Sequence, residues 1–344
     1  MVLRRIVLAM LMLCMALAYP AEGMAKSKKK QGDESNNKYA SIVVDAETGA
    51  ILSQRYPDKR LHPASLTKVM TLLLLFEALD AGNVRLNDKI QISRHAANAQ
   101  PSKLGLTPGS SIRVEDAILA VVTKSANDIA TAIAEHLAGS ESRFALRMTR
   151  RARDIGMSKT TFKNAHGLHN PGQVTSARDM ATLARYVLVR YPNYYRYFGT
   201  KQFTYRGKTY TNHNRLMNTY PGMDGFKTGF INASGFNLIA SAKHGNKRLI
   251  GVVFGGRSWK SRNDHMASLL NTGFEHAGET RYAGASLNEV AARASRAAPA
   301  PVPPLKPVFR ETETTRQPVA TALLDGVPYT SLAALDQNRK PIAV

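Results

Sequence analysis

The chain predicts one α/β domain, an antiparallel sheet with flanking helices and a helical subregion. Three observations point there. Strand-like runs open the ordered part after residue 38, helical periodicity fills the middle, and strands return only after residue 200 before a closing helix. A sheet assembled this way has halves far apart in sequence.

The elements follow in order. Residues 40–45 (ASIVVD) and 50–54 (AILSQ) read as two strands, and Glu47-Thr48-Gly49 between them reads as a hairpin turn. Residues 65–79 are apolar nearly all round a helix, which predicts a buried central helix rather than an amphipathic surface one. Residues 114–122, 127–137, 142–155 and 177–191 carry apolar residues at helical spacing, punctuated by Gly139, Gly156 and Gly167. Residues 201–205 and 208–211 read as strands. So do 236–242 and 249–255, with Gly245-Asn246 at their turn, and 264–277 is the closing helix. From residue 281 to 344 the chain turns Pro- and Ala-rich, which predicts a disordered linker and tail.

The N-terminal 25 residues read as an export signal. Arg4 and Arg5 precede the apolar run 6–18, which is shorter than the ~20 residues of a membrane-spanning helix. Small residues suit cleavage after Ala18 or after Ala25. Residues 26–37 form a polar segment expected to be disordered. The single cysteine, Cys14, falls inside the signal, so the processed chain is expected to lack disulfides, thiol nucleophiles and cysteine metal ligands. An exported chain without disulfides fits the periplasm or envelope of a bacterium, and no C-terminal membrane anchor is read. The formal charge of +22 favours anionic surroundings. For an exported protein these are wall polymer or membrane surfaces, held weakly, and no nucleic-acid partner is expected.

Three short motifs carry chemistry. Ser65-Leu66-Thr67-Lys68 opens the buried helix, where positions i and i+3 share a face and bring the Lys68 amine to the Ser65 hydroxyl. Burial favours the neutral, basic form of a lysine. Ser125-Ala126-Asn127 supplies a second hydroxyl and an amide, or a helix cap. Lys227-Thr228-Gly229 supplies a cation and a hydroxyl, with a glycine that leaves room for a substrate along a strand edge. The first two patterns also occur elsewhere: Ser27 to Lys30 and Ser35 to Lys38 match Ser-x-x-Lys, and Ser35 to Asn37 and Ser261 to Asn263 match Ser-x-Asn. Context and order set the three apart. Together they describe an acyl-transfer site with lysine as base. His166 and His169 sit in a Gly/Pro-rich loop with no carboxylate at ligand spacing, and there is no His-Glu-x-x-His, so neither metal nor cofactor is expected.

The flanking segments extend the pattern. Residues 41–49, 63–71, Lys124 to Asp128, Asn164 to Leu168, Asp224 to Gly229 and Gly255-Gly256-Arg257 resemble the serine-type D-alanyl-D-alanine carboxypeptidases, the low-molecular-weight penicillin-binding proteins of peptidase family S11. The resemblance runs over roughly residues 38–276 and implies one catalytic domain, 38–280, of the penicillin-recognising, β-lactamase-like fold. It implies that Ser65 is the nucleophile, Lys68 its base and Ser125 a proton relay to the leaving amine. Asn127 would hold the substrate amide, and Lys227 would bind substrate electrostatically. Thr228 with Arg257 would grip the terminal carboxylate, and the backbone N–H groups of Ser65 and Phe230 would form the oxyanion hole. The implied substrates are peptidoglycan stem peptides ending D-Ala-D-Ala, with β-lactams as covalent inhibitors. Two features depart from the family. Position 230 is Phe where relatives often carry His or Thr, and residues 281–344 lack the β-rich domain and basic amphipathic helix many relatives add.

Four other readings compete. A class A-like β-lactamase shares the motifs but wants a loop glutamate, and the chain has no Glu-x-x-Leu-Asn. A D,D-endopeptidase is not separable by sequence. A non-catalytic wall-binding module would suit the charge but not the intact nucleophile and base. A zinc peptidase lacks its motif.

Overall fold

The computed structural model describes residues 36–277 and, in a second unit spanning residues 300–344, only the short antiparallel pair Leu323–Leu324 and Val327–Pro328. The readings for residues 1–25, 26–35 and the remainder of 281–344 lie outside the described residues.

The first unit is built on strands β1 (Ala40–Asp45) and β2 (Ile51–Arg55), helix α1 (Thr67–Asp80), hairpin β3 (Lys89–Gln91) and β4 (Ser111–Arg113), and helices α2 (Val114–Thr123), α3 (Asn127–Ala138), α4 (Glu141–Asp154) and α5 (Ala177–Arg190). Hairpin β5 (Gln202–Tyr205) and β6 (Lys208–Thr211) follows, then β7 (Met223–Ile231), β8 (Gly235–His244), β9 (Lys247–Gly256) and α6 (Trp259–His276).

The main sheet has the order β2-β1-β9-β8-β7, every neighbouring pair antiparallel. β1 therefore pairs with β9, some 200 residues later, with Val43 opposite Gly251. Alternation along β1 sends Ile42 and Val44 into the larger core and Val43 into a smaller one on the opposite face. Both faces are covered, which is why β1 reads as an unbroken apolar run. The smaller core is closed by Met266 and Leu270 of α6. There a Cβ on Gly251 would stand 2.5 Å from the Met266 sulfur, so a larger residue would displace that side chain.

α1 runs through the larger core. Its residues from Thr67 to Phe76 are all buried, and each large apolar side chain placed there contributes about 1.5–3 kcal/mol. A buried ion pair, Arg151 Nε to Glu77 Oε1 at 2.7 Å, ties α4 to α1, and Arg151 Nη2 donates to Tyr186 of α5 at 2.6 Å. Local signals set the boundaries. Ser140 caps α4 and Ser176 caps α5 through their hydroxyls, and Gly139, at φ 73°, ends α3 in the left-handed conformation.

The β3–β4 hairpin has no counterpart in the elements expected from sequence, and two further elements differ from expectation. β7 carries Lys227-Thr228-Gly229 as a sheet-edge strand, although its glycines and polar residues gave no clear strand pattern. The closing helix starts at Trp259, five residues before the expected position. Ser258 and Ser261 form a reciprocal capping box there, and the polar first turn hides it from a periodicity reading.

Candidate active site

Ser65 lies in a one-turn 3-10 segment, Ala64–Leu66, that feeds directly into α1. Ala64 has φ 48°, a left-handed value for a residue with a Cβ, so the chain turns sharply just before the nucleophile. Two glycines make room for that turn. A Cβ on Gly167 would stand 1.9 Å from the Ala64 carbonyl oxygen, and one on Gly229 would stand 3.0 Å from the Ser65 nitrogen. The glycine of Lys227-Thr228-Gly229 thus seats β7 against the Ser65 turn, a tighter role than clearing a strand edge.

The Lys68 amine is completely buried and has three neighbours. These are Ser65 Oγ at 3.1 Å, Asn127 Oδ1 at 2.7 Å and the His166 carbonyl oxygen at 2.5 Å. Burial, reinforced by the charge of Lys227, holds its pKa well below the ordinary lysine value. A neutral amine has two N–H groups and one lone pair. Asn127 and His166 accept the two protons, which leaves the lone pair facing the Ser65 hydroxyl. That is the geometry of a general base.

The loop behind Lys68 is fastened to the core. Thr71 Oγ1 of α1 donates to the Ala165 carbonyl at 2.6 Å. Glu141, at the start of α4, accepts from the Ala165 N–H at 2.9 Å and stands 3.2 Å from the His166 ring and 3.0 Å from that of His95. Burial pushes the His166 imidazole down to about 4, so the ring is neutral at ordinary pH. His169 packs edge-on against His62. Both loop histidines thus have structural surroundings. Glu141→Ala is expected to loosen the His166 carbonyl and slow acylation of Ser65 about tenfold, with thermal stability little changed. Glu141→Gln, which retains one acceptor for the Ala165 N–H, should restore most of the rate. Stopped-flow labelling with a fluorescent penicillin measures it.

Ser125 precedes α3 at φ 59°, and its Oγ is buried without a hydrogen-bond partner. The helix cap is Ala126, with no side-chain cap bond, so capping does not occupy the Ser125 hydroxyl. The turn is braced by Ser102, whose carbonyl accepts from the Asn127 N–H at 2.7 Å and whose Oγ donates to the Lys124 carbonyl at 2.9 Å. Asp128 accepts from the N–H groups of Leu104 and Gly105 and fixes the same loop. The Asn127 side-chain amide is already used at both ends, accepting from Lys68 and donating to the Gln100 carbonyl at 2.7 Å. Here it positions the base, where the resemblance assigned it to the substrate.

These groups surround a cavity of about 320 Å³ whose lining includes Ser65, Ser125, Asn127, Thr228, Phe230 and Arg262. Lys227 lies beneath it, fully buried, its Nζ 3.3 Å from the Thr228 carbonyl, and burial lowers its pKa to about 7. His213 also lines the cavity, and burial among cationic neighbours lowers it to about 4. No Asp or Glu lines the cavity among the described residues, so it favours an anion.

Arg257 sits elsewhere. It lines an adjacent hollow with Lys38, Asn232 and Gly255, not the cavity that holds Ser65. The arginine in the cavity is Arg262, on the first turn of α6, which the sequence reading passed over. It is 3% exposed, donates from Nη1 to the Asn237 carbonyl at 2.8 Å and from Nε to Asn263 Oδ1 at 2.9 Å, and stays cationic with a pKa lowered to about 10 by burial. The Ser258–Ser261 capping pair was the signal that would have placed it on a helix facing the strands. Phe230, half exposed, packs at a tilt against Phe236 with centroids 4.4 Å apart, and the pair lines both the cavity and the adjacent hollow.

Comparison with known proteins gives a consistent answer. The family model described as D-alanyl-D-alanine carboxypeptidase matches residues 26–258. The Bacillus subtilis D-alanyl-D-alanine carboxypeptidase DacF is 36% identical over 278 residues, covering 79% of this chain and 71% of its own. The Escherichia coli enzyme DacC is 37% identical over 242 residues, and this chain spans 60% of its length. Penicillin-binding protein D2 from Listeria monocytogenes, solved in an ampicillin-bound form, superposes with a TM-score of 0.63 at 30% identity, covering 68% of this chain and 96% of that one.

Proposed function

The chain belongs to the D-alanyl-D-alanine carboxypeptidase family of serine peptidases, and on that premise we propose that it removes the terminal D-alanine from peptidoglycan stem peptides through an acyl-enzyme on Ser65. The observation that carries this reading is the buried Lys68 amine, 3.1 Å from Ser65 Oγ and bonded to Asn127 Oδ1 and the His166 carbonyl.

The geometry supports the following steps. Lys68 takes the Ser65 proton as Oγ attacks the penultimate D-alanine carbonyl carbon. The backbone N–H groups of Ser65 and Phe230 receive the oxyanion. Ser125 Oγ, unpaired and buried at the cavity wall, passes a proton to the leaving amine. Thr228 and Arg262 hold the terminal carboxylate, and Lys227 adds positive potential beneath it. Water then hydrolyses the ester. A β-lactam imitates the D-Ala-D-Ala amide and acylates Ser65 in the same way. Among the described residues no Asp or Glu lines the cavity, which argues against the β-lactamase reading and its deacylating glutamate.

The remaining parts of the reading are an export signal over residues 1–25, a periplasmic or envelope location and weak attachment of the basic protein to anionic wall or membrane surfaces. Among the described residues no helix is long and apolar enough to cross a membrane.

Incubation with a fluorescent penicillin and then with a pentapeptide ending D-Ala-D-Ala tests the reaction. A lasting adduct and release of D-alanine are expected, both lost in Ser65→Ala and both retained in Ser27→Ala and Ser35→Ala. Labelling that survives Ser65→Ala would refute the assignment. Fast penicillin turnover without peptide cleavage would favour a β-lactamase.

A further inference from the structure

The cavity is more apolar at its carboxylate end than a terminal alanine requires. Phe230 and Phe236 stand opposite each other in the β7–β8 register, with ring centroids 4.4 Å apart. Trp259, the first residue of α6, lines the cavity with them, one helical turn before Arg262 and on the same side of the helix. The Arg262 stem lies against the start of β8. A Cβ on Gly256 would stand 2.6 Å from Arg262 Cβ and 3.0 Å from the Phe236 carbonyl oxygen. Aromatic rings from β7, β8 and α6 thus gather about one buried guanidinium.

Two of those side chains are open to solvent, Phe230 at 51% and Trp259 at 47%. The other exposed large apolar side chains among the described residues, Ile51, Tyr56 and Leu146, do not line the cavity. Apolar surface gathered at one rim marks a place where a ligand completes the packing. Trp259 is also steadied from outside the cavity lining. The Arg215 guanidinium lies over its ring, 4.6 Å from the centroid. Arg215 follows Asn214, whose side chain donates to the Gly225 carbonyl of β7 at 3.1 Å, so this cation is anchored to the strand that carries Thr228.

A terminal carboxylate held by Arg262 and Thr228 is one bond from its own Cα. The side chain on that Cα must fall among the neighbours of Arg262, which are these rings. An alanine methyl covers little of them, whereas a branched or aromatic side chain covers much more.

We propose that Phe230, Phe236 and Trp259 form a subsite for an apolar terminal D-residue larger than alanine. Stem peptides that end in D-alanine followed by D-leucine or D-phenylalanine are then substrates too. The inference rests on the acyl-enzyme reading above and adds a substrate class to it. Ser65 Oγ bonds to the carbonyl carbon of the penultimate D-alanine, and the C–N bond to the terminal residue breaks. The terminal amine leaves with a proton from Ser125, and one water hydrolyses the ester to a carboxylate. Trp259 is the specificity-determining side chain and Arg215 positions it.

The test uses pentapeptides that share their first four residues and end in D-alanine, D-leucine, D-phenylalanine or D-asparagine, with the released amino acid measured by chromatography. The wild-type kcat/KM for the D-leucine and D-phenylalanine peptides should equal or exceed that for the D-alanine peptide. The D-asparagine peptide, of similar size but polar, should fall about tenfold below the D-leucine one. Trp259→Ala should lower the ratio of kcat/KM for the D-phenylalanine peptide to that for the D-alanine peptide about tenfold. Arg215→Met, which leaves the indole in place, should lower the same ratio about threefold. A wild-type protein that cleaves the D-alanine peptide but neither bulky one overturns the proposal, as does a ratio unchanged in both variants. Failure of the acyl-enzyme reading looks different: no penicillin adduct and no amino acid released from any of the four peptides.

Discussion

Lys68→Met should lower the rate of Ser65 acylation by about 10²–10⁴-fold, the range in which a positioned general base acts. Methionine fills the volume of the buried lysine stem, so the change removes the amine and little else. Asn127 Oδ1 and the His166 carbonyl would each lose a donor, costing about 1–3 kcal/mol apiece. The loss is offset in part because a buried amine no longer has to be desolvated. A single cooperative unfolding transition should persist, and stopped-flow labelling with a fluorescent penicillin reads the rate. A wild-type rate in this variant would end the assignment of Lys68 as base.

The same argument fixes a pH dependence. Burial depresses the Lys68 pKa, so its base form persists well below the pH at which a free lysine protonates. Acylation should rise with pH through that lowered pKa and then level off, and the limb should vanish from the residual rate of Lys68→Met. Between the folded and unfolded pKa values the unfolded chain binds the extra proton. Lysine burial therefore makes the protein more stable as pH rises through that window, and costs stability as pH falls.

Arg262→Ala should reduce kcat/KM for a D-Ala-D-Ala peptide by about 100-fold, because a nearly buried guanidinium facing a substrate carboxylate is worth several kcal/mol. Nη1 and Nε are engaged by Asn237 and Asn263, which orient the remaining N–H groups toward the ligand. A purely structural role would slow every substrate alike. An ester substrate that lacks the terminal carboxylate separates the two: its turnover should change by less than threefold in Arg262→Ala. Arg262→Lys, which keeps the charge, should recover part of the loss on the peptide. Equal losses on both substrates would remove Arg262 from carboxylate recognition.

Much of this molecule was determined by sequence alone. Apolar periodicity placed β1, β2, the buried α1 and helices α2 to α5 within a residue or two of their observed bounds, because each buries a face, or all of itself, in one core. The spacing of Ser65 and Lys68 is a property of a single helix turn, so their contact at 3.1 Å needed no tertiary information. What tertiary structure decided is what depends on neighbours far along the chain. The proton acceptors that leave the Lys68 lone pair for Ser65 come from Asn127 and His166, 59 and 98 residues away. Gly229 proved to be a matter of space against the Ser65 turn, visible only once β7 lay beside it. The choice between two arginines five positions apart was equally hidden. Arg257 precedes the Ser258 cap and faces the outer hollow, while Arg262 lies on the first turn of α6 and faces the sheet. Helical direction, not residue type, puts one cation in the active cavity and the other next door.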